Sequence, residues 1–157
     1  MMRKSTIWTF MALFLINTAS MSFAVSGQAV VVEYHEFSSE ADKTLPFSEA
    51  VRVGHLLFLS GQVGNIPGTL NLVPGGIQAE TRQTLENIKA ALEKHGSSLA
   101  EVVKCTVFLA DISQWSAMNE VYTEYFAVKP PARSALGVNG LALGALTEIE
   151  CIATVSD

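Results

Sequence analysis

Two stretches of the chain carry apolar residues at steps of three and four positions, the spacing of an amphipathic helix. In the first, residues 77–94, one apolar stripe is formed by Ile77, Thr81, Leu85, Ile88 and Leu92. The charged positions between them are expected to face solvent: Glu80, Arg82, Glu86, Lys89 and Glu93. In the second, residues 113–126, the apolar side carries Trp115, Met118, Tyr122 and Tyr125. Gly96 is placed to end the first helix, and Asp111 or Ser113 to cap the second.

The remaining apolar runs are rich in β-branched residues and predict strands. Two of them, residues 51–53 and 56–60, are separated by Gly54 and His55 and predict a hairpin with a tight turn. Between positions 61 and 76 the chain holds five glycines and two prolines, which predicts a loop. The other predicted strands are residues 30–34, 101–109, 132–138 and 148–155.

The order of these elements is β-β-β-α-β-α-β-β, which predicts an α/β (α+β) fold with one mixed β-sheet and both helices packed on one face. Several strands are apolar at consecutive positions, as at 56–59 and 107–109, and such runs are typical of strands buried on both faces. Two helices cover one face only. A closed homo-oligomer is the simplest cover for the other face, so the pattern itself predicts self-association.

The first 24 residues have the features of a secretory signal peptide. A basic start at Arg3 and Lys4 precedes an apolar run over residues 7–16, and residues 22–24 fit the small-x-small cleavage pattern. The run is short for a membrane span, although a retained N-terminal anchor stays open. We therefore expect residues 1–24 to be a signal peptide and residues 25–157 to be a single domain. The protein is then exported, to the periplasm, and keeps no membrane contact after cleavage.

Charge and cysteine usage narrow the possible partners. Cleavage would leave 8 basic and 15 acidic residues, a net charge of −7, which repels a phosphate backbone, so no nucleic-acid partner is expected. His35, His55 and His95 lie apart from one another and give no metal-ligand spacing. Cys105 and Cys151 both lie in predicted strands. Two buried thiols are the favoured interpretation, and a disulfide, which an oxidising compartment permits, is the alternative.

Few ionisable side chains follow Lys129, and apart from Asp157 they lie in the last two predicted strands. Arg133 opens one strand, and Glu148 and Glu150, two positions apart, point to the same side of the next. If Arg133 lies opposite a glutamate on paired strands, the two form a structural ion pair. Alternatively, Arg133 binds the carboxylate of a small substrate and Glu148 activates a water beside it. No catalytic triad pattern, phosphate loop or dinucleotide fingerprint competes with this pair.

Six segments match, in a single order, the signatures of a known family. They are SGQ at 60–62, QTLENI at 83–88, KCTVFLAD at 104–111, MNEVY at 118–122, PARS at 131–134 and EIE at 148–150. Together they extend over essentially all of the chain after the predicted signal peptide. In these segments the chain resembles the RidA/YjgF family of imine and enamine deaminases.

The resemblance implies a chorismate-mutase-like fold assembled as a homotrimer, with sites in clefts between subunits. By position, Arg133 would bind the carboxylate of a 2-imino or enamino acid, and Glu148 would position the water that attacks its C=N bond. Ser60 and Asn119 match further site positions, although ordinary turn or helix hydrogen bonds would also account for them. The implied reaction gives a 2-oxo acid and ammonia, and it requires no metal or organic cofactor.

The chain departs from the family pattern at two substrate-associated positions. Phe47 stands where well-known deaminases carry a tyrosine, and Ala135 where they often carry a reactive cysteine. Since Arg133 and Glu148 are both retained, hydrolytic deamination is the primary hypothesis. A trimer that binds a small carboxylate without turning it over is the alternative, which the two departures favour. A ribonuclease, an activity attributed to some relatives, is disfavoured by the negative charge.

Overall fold

The computed structural model describes residues 29–37 and 45–156, so the predicted signal peptide and its cleavage site lie outside the described residues. The strands are β1 Val32–His35, β2 Ala50–Val53, β3 Leu56–Leu59, β4 Gln62–Val63, β5 Val102–Leu109, β6 Ala132–Gly137 and β7 Thr147–Thr154. The helices are α1 Gly76–Lys94 and α2 Trp115–Tyr125, with short 3-10 turns at Leu99–Glu101, Ile112–Gln114 and Ala142–Gly144. Each predicted element is present within a few positions of its expected bounds.

One mixed sheet joins the seven strands in the order β1-β2-β3-β7-β5-β6, and β4 pairs with β7 beyond the end of β3. β5 and β6 are parallel, as their connection through α2 requires, and the other pairs are antiparallel. β2 and β3 form the predicted hairpin. Val53 lies opposite Leu56, and Gly54 takes a left-handed φ of 58° in the two-residue turn.

Both helices pack on one face of this sheet and enclose the core, as the amphipathic pattern predicts. The buried cluster includes Leu85, Ile88 and Leu92 from α1, Met118 and Tyr122 from α2, and Val107, Leu109, Ile149 and Ala153 from the sheet. Burying each large aliphatic side chain stabilises the fold by about 1.5–3 kcal/mol. No helix in the described ranges is both long enough and apolar enough to cross a membrane.

Two expectations about α1 and the segment before it are wrong. Glu80, expected to face solvent, is only 6% exposed, and its carboxylate accepts a hydrogen bond of 2.8 Å from the backbone N–H of Leu146. This hydrogen bond gives the buried Glu80 carboxylate a polar partner, whereas helical periodicity alone places Glu80 on the polar, solvent-facing side of α1. The glycine-rich segment 61–76 is not entirely loop, because it contains β4 and a bridge between Asn65 and Leu72.

The face of the sheet opposite the helices is apolar and open in a single chain. Along β5 and β7, buried positions facing the helices alternate with more exposed ones on this second face. Its large side chains Leu56, Phe58, Val103 and Leu136 are each 39–45% exposed. The apolar runs that predicted burial on both faces therefore supply large apolar side chains to the second face, which the described residues 29–37 and 45–156 do not cover.

The favoured interpretation of the cysteines as free thiols is wrong. Cys105 on β5 and Cys151 on β7 are direct partners in the antiparallel pairing, with their Cα atoms 4.1 Å apart, and they form a disulfide. Both are at most 1% exposed, on the face covered by the helices. The residues are 46 positions apart in sequence, and only the sheet order brings their strands together.

Candidate active site

Glu148 is the second residue of β7 and lies between two other strands. It pairs with Phe108 of β5 on one side and Val63 of β4 on the other. The chain bends at Gly61, between β3 and β4, and the Glu148 carboxylate lies against that glycine. A Cβ atom at position 61 would collide with Glu148 Oε1. A side chain at position 61 would therefore displace the Glu148 carboxyl group from its place against the backbone.

The surroundings of Glu148 favour its neutral form. Partial burial raises the pKa of this carboxyl, and the like charge of Glu150 on the same side of β7 raises it further. Glu150 is itself exposed, so the predicted common orientation of the two glutamates is confirmed. Within the described part of the chain, no hydrogen bond or ion pair reaches the Glu148 carboxylate. A carboxyl without partners and with a raised pKa is suited to exchange protons with water or a substrate.

Glu80 and Ala110 fix the backbone immediately before β7. The Glu80 carboxylate accepts from Leu146 N, and the Leu146 carbonyl accepts from Ala110 N at 3.0 Å. Leu146 is two residues before Glu148, so these two bonds set where the strand that bears Glu148 begins.

A cavity of about 480 Å³ opens beside Glu148, between β4, α1 and the loop before β7; we call it the Glu148 cavity. Its lining includes Phe47, Gly61, Val63, Leu70, Ala90, Leu143 and Glu148, and Glu49 and Lys94 border it. The volume is within the range of about 300–1,000 Å³ that is usual for small-molecule sites. The structure therefore brings Phe47 and Glu148, two of the predicted site residues, to one concave site.

Arg133 belongs to a second cluster, between β6 and α2. Its Nη1 donates a 2.6 Å hydrogen bond to Asn119 Oδ1. Its Cζ lies 4.5 Å from the centroid of the Tyr122 ring and 5.8 Å from that of Trp115. Such contacts stabilise a guanidinium without neutralising it. No carboxylate of the described residues forms a salt bridge with Arg133, so its charge is available to an anion.

The structural ion pair considered for Arg133 and Glu148 is ruled out by the sheet topology. Their strands are not paired, because β5 lies between β6 and β7. Arg133 is in register with Cys105, on the face covered by the helices. Glu148 is three positions from Cys151, the disulfide partner of Cys105, and therefore points to the opposite face. The two residues cannot act on one small molecule within one chain.

The remaining predicted site residues divide between these two clusters. Ser60 directly precedes Gly61, but its hydroxyl donates to the carbonyl of Ser48 at 2.7 Å, the structural alternative considered for it. Ala135 is on β6, two residues after Arg133 and on the same face, partly buried against the core. Asn119 contacts Arg133 directly and orients it.

Sequence reasoning missed several residues of the site. No sequence pattern identifies Glu80, because its position on the helix predicts a side chain that faces solvent. No sequence pattern identifies Leu143 either. In the structure it is the one described non-glycine residue with a left-handed φ, at 60°. Gly61 does have a signal, since a glycine directly after an apolar strand indicates a bend or a close backbone approach. Among the described residues, no group of three or more histidine, cysteine or acidic side chains is arranged to hold a metal ion.

The comparisons with known protein families, sequences and structures agree on one family. Residues 37–155 match the family model described as endoribonuclease L-PSP. A RutC family protein of Pyrococcus horikoshii is 48% identical over 118 residues, covering 74% of this chain and 94% of the relative. The 2-iminobutanoate/2-iminopropanoate deaminase of Capra hircus is 46% identical over 108 residues, covering 69% and 79%. The crystal structure of E. coli TdcF with bound serine superposes with a TM-score of 0.71 at 32% identity, covering 79% and 99%.

Proposed function

The chain belongs to the endoribonuclease L-PSP family, the family of the RidA/YjgF proteins, and from that membership we propose that it hydrolyses reactive 2-imino and enamino acids to 2-oxo acids and ammonia. Related proteins are named as deaminases of this kind. The observation that carries the proposal is the electrostatic character of the two clusters. Among the described residues, the guanidinium of one cluster has no carboxylate partner, and the carboxyl of the other accepts no hydrogen bond and has a raised pKa.

Arg133 anchors the substrate in this proposal. A 2-imino acid carries a planar carboxylate, and the guanidinium offers parallel N–H donors that match it. Asn119 holds one of the two terminal nitrogens, and the rings of Tyr122 and Trp115 limit movement of the group. The anchor is therefore oriented before substrate arrives, which lowers the entropic cost of binding.

Glu148 accepts and donates the protons that the reaction transfers. As a carboxylate it accepts a proton from the water whose oxygen forms the new bond to the imine carbon, while the imine nitrogen takes up a proton. In the resulting carbinolamine the amino nitrogen accepts the proton that Glu148 took from water. The C–N bond then breaks, ammonia leaves and the hydroxyl proton passes back to Glu148, giving the C=O of the 2-oxo acid. A carboxyl with a raised pKa is suited both to accept and to return a proton.

The position of the two clusters on opposite faces supports an assembled site. Arg133 and Glu148 can meet a single substrate only if they come from different copies of the chain. The open apolar face of the sheet provides a surface for such copies. We propose the closed homotrimer that the family resemblance implies, with each site formed between two subunits.

Export to the periplasm stays part of the proposal. The Cys105–Cys151 disulfide supports it, because structural disulfides persist mainly in oxidising compartments. The substrate would then be a small imino acid present outside the cytoplasm, without nucleic acid or membrane as partner.

The proposed activity is tested with imino acids that an amino-acid oxidase generates and semicarbazide traps. Wild-type protein should accelerate loss of the trappable imine, and R133A should lower kcat/KM by about 30- to 100-fold, because a charge-assisted carboxylate contact is lost. R82A is the matched control, since Arg82 is an exposed arginine that pairs with Glu124 away from both clusters. A wild-type protein that accelerates the loss of no imine would refute the deaminase assignment, and equal acceleration by wild type and R133A would refute the anchoring role of Arg133.

The division of each site between two copies predicts complementation. R133A and E148Q should each be strongly impaired, but a site that takes Arg133 from an E148Q chain and Glu148 from an R133A chain is intact. Random co-assembly of equal amounts should restore about a quarter of the wild-type rate. The test is to denature the two variants together, refold them and compare the rate with each variant refolded alone. Absence of any recovery in oligomers shown to contain both chains would contradict the proposed arrangement.

One structural feature favours the binding alternative. The Glu148 cavity has the Phe47 ring where a tyrosine hydroxyl is expected, so it offers fewer polar contacts to a reacting group. If the protein binds without turnover, a non-reactive carboxylate such as 2-oxobutanoate should raise its Tm while no imine is consumed. A ribonuclease function finds no support in the overall net charge of −5.

A further inference from the structure

The Glu148 cavity has a shape and lining that indicate which substrates suit it. Resting on the deaminase function proposed above, we propose that this cavity receives a large apolar side chain, so that imino acids derived from aromatic or branched amino acids are preferred over those derived from alanine. Three observations carry this proposal: the volume of the cavity, the state of its charges and the backbone of Leu143.

The volume exceeds what a three-carbon substrate needs. An imino acid derived from alanine has about 6 non-hydrogen atoms and would fill no more than about 180 Å³ at the volume of a water molecule per atom. One derived from phenylalanine has about 12, or about 360 Å³. In a single chain the Glu148 cavity measures about 480 Å³, which leaves room for the larger molecule, whereas the smaller one would leave most of the apolar lining wet.

The charges at the border of the cavity are already paired. Lys94 Nζ contacts Glu49 Oε2, and His95 Nε2 lies 2.9 Å from the same oxygen. Glu49 exposes only 14% of its side chain, and Lys94 exposes 36%. Because Glu49 matches Lys94, the described lining of the cavity offers no unpaired cation for a second carboxylate on the substrate. The remaining lining favours an apolar group over an acidic one.

Leu143 extends the apolar lining of the cavity and has a strained backbone conformation. It adopts φ 60° and ψ 7°, a left-handed conformation in which a non-glycine residue is strained, while Gly144 beside it also has a positive φ. The Leu143 side chain borders the cavity and is 51% exposed. An exposed leucine gains little stability from packing, so packing does not explain its presence at a position suited to glycine. A wall for an apolar substrate group does explain it.

The proposal is tested by selectivity, measured as the ratio of kcat/KM for the imino acids derived from phenylalanine and alanine. We expect a ratio of at least about 10 for the wild type. L143G fits the left-handed backbone without strain and should lower the ratio by about 5- to 10-fold, because apolar contact is lost. A90L should also lower it, since Ala90 projects from α1 into the same cavity and leucine keeps the helix stable while filling the space. V128A, at an exposed position outside the cavity, is the control and should leave the ratio unchanged.

The outcomes separate this proposal from the one it rests on. If wild type and R133A consume every imine equally slowly, the deaminase function itself is wrong. If wild type is active but turns over the alanine-derived imine as efficiently as the phenylalanine-derived one, the deaminase function holds and the side-chain pocket is refuted. The pocket is likewise refuted if L143G and A90L fold normally and change the ratio no more than V128A does.

Discussion

Replacing Glu148 with glutamine should lower kcat by about 10²- to 10⁴-fold, the usual contribution of a positioned acid or base. The amide keeps the shape of the carboxyl and its place against Gly61, so substrate binding and assembly should persist. It cannot accept the proton of the attacking water. A loss of kcat with little change in the affinity for 2-oxobutanoate is therefore the expected pattern.

The same substitution should stabilise the protein at neutral pH. Burial, and then the charge of Glu150, raise the pKa of Glu148 in the folded state above its ordinary value. The folded chain thus binds this proton more tightly than the unfolded chain, and stability is lost as the pH rises from the ordinary carboxyl pKa through the raised one. E148Q removes that loss. Its Tm should exceed the wild-type Tm by about 1–4 °C at pH 7, and the difference should vanish below the ordinary carboxyl pKa.

E150Q is the matched control, because it makes the same chemical change two residues away on the same side of β7. It should retain turnover. Removing the neighbouring charge should also move the acid limb of the kcat profile to lower pH, since Glu148 would ionise more easily. If E148Q keeps more than a tenth of the wild-type kcat, or if E150Q is equally inactive, Glu148 is not the specific proton acceptor.

The helices and most strands could be predicted because local pattern determines them. The apolar stripe of α1 is buried at Ile77, Leu85 and Ile88 because its spacing matches one helical face. The hairpin turn at Gly54 follows from a residue that tolerates a positive φ. Even the apolar second face of the sheet could be inferred, from consecutive hydrophobic positions in β3 and β5. Each of these features depends on residues close together in sequence.

What could not be predicted depends on the order of strands in the sheet. The sequence singles out Arg133 and Glu148 as candidates, but their separation to opposite faces follows from the position of β5 between β6 and β7. The same pairing of β5 with β7 determines the disulfide. Glu80 is a further case, since its partner is a backbone N–H 66 positions away. Strand order, and with it these contacts, is a property of the assembled sheet that residue spacing does not reveal.

Loss of the Cys105–Cys151 disulfide should lower the free energy of unfolding by about 2–4 kcal/mol. The bond links positions 46 residues apart, and closing a loop of that length restricts the unfolded chain by about 4 kcal/mol in the chain-entropy account. Because both sulfur atoms are buried, reductant should act only on unfolded chains. Urea unfolding at one fixed protein concentration, with and without reductant, measures the difference.

C105A/C151A is the control for effects of the reductant itself. Its urea midpoint should be the same with and without reductant. Its stability should fall somewhat below that of the reduced wild type, because alanine leaves a small space in the core at each position. Catalysis should survive at low temperature, since neither cysteine contacts the Glu148 cavity or the Arg133 guanidinium. Two free thiols titrated in urea-denatured, unreduced protein, or a wild-type midpoint that reductant leaves unchanged, would contradict the disulfide. The expected result makes β5 and β7 a covalently joined pair, which holds the strand bearing Glu148 in register with the neighbour of the strand bearing Arg133.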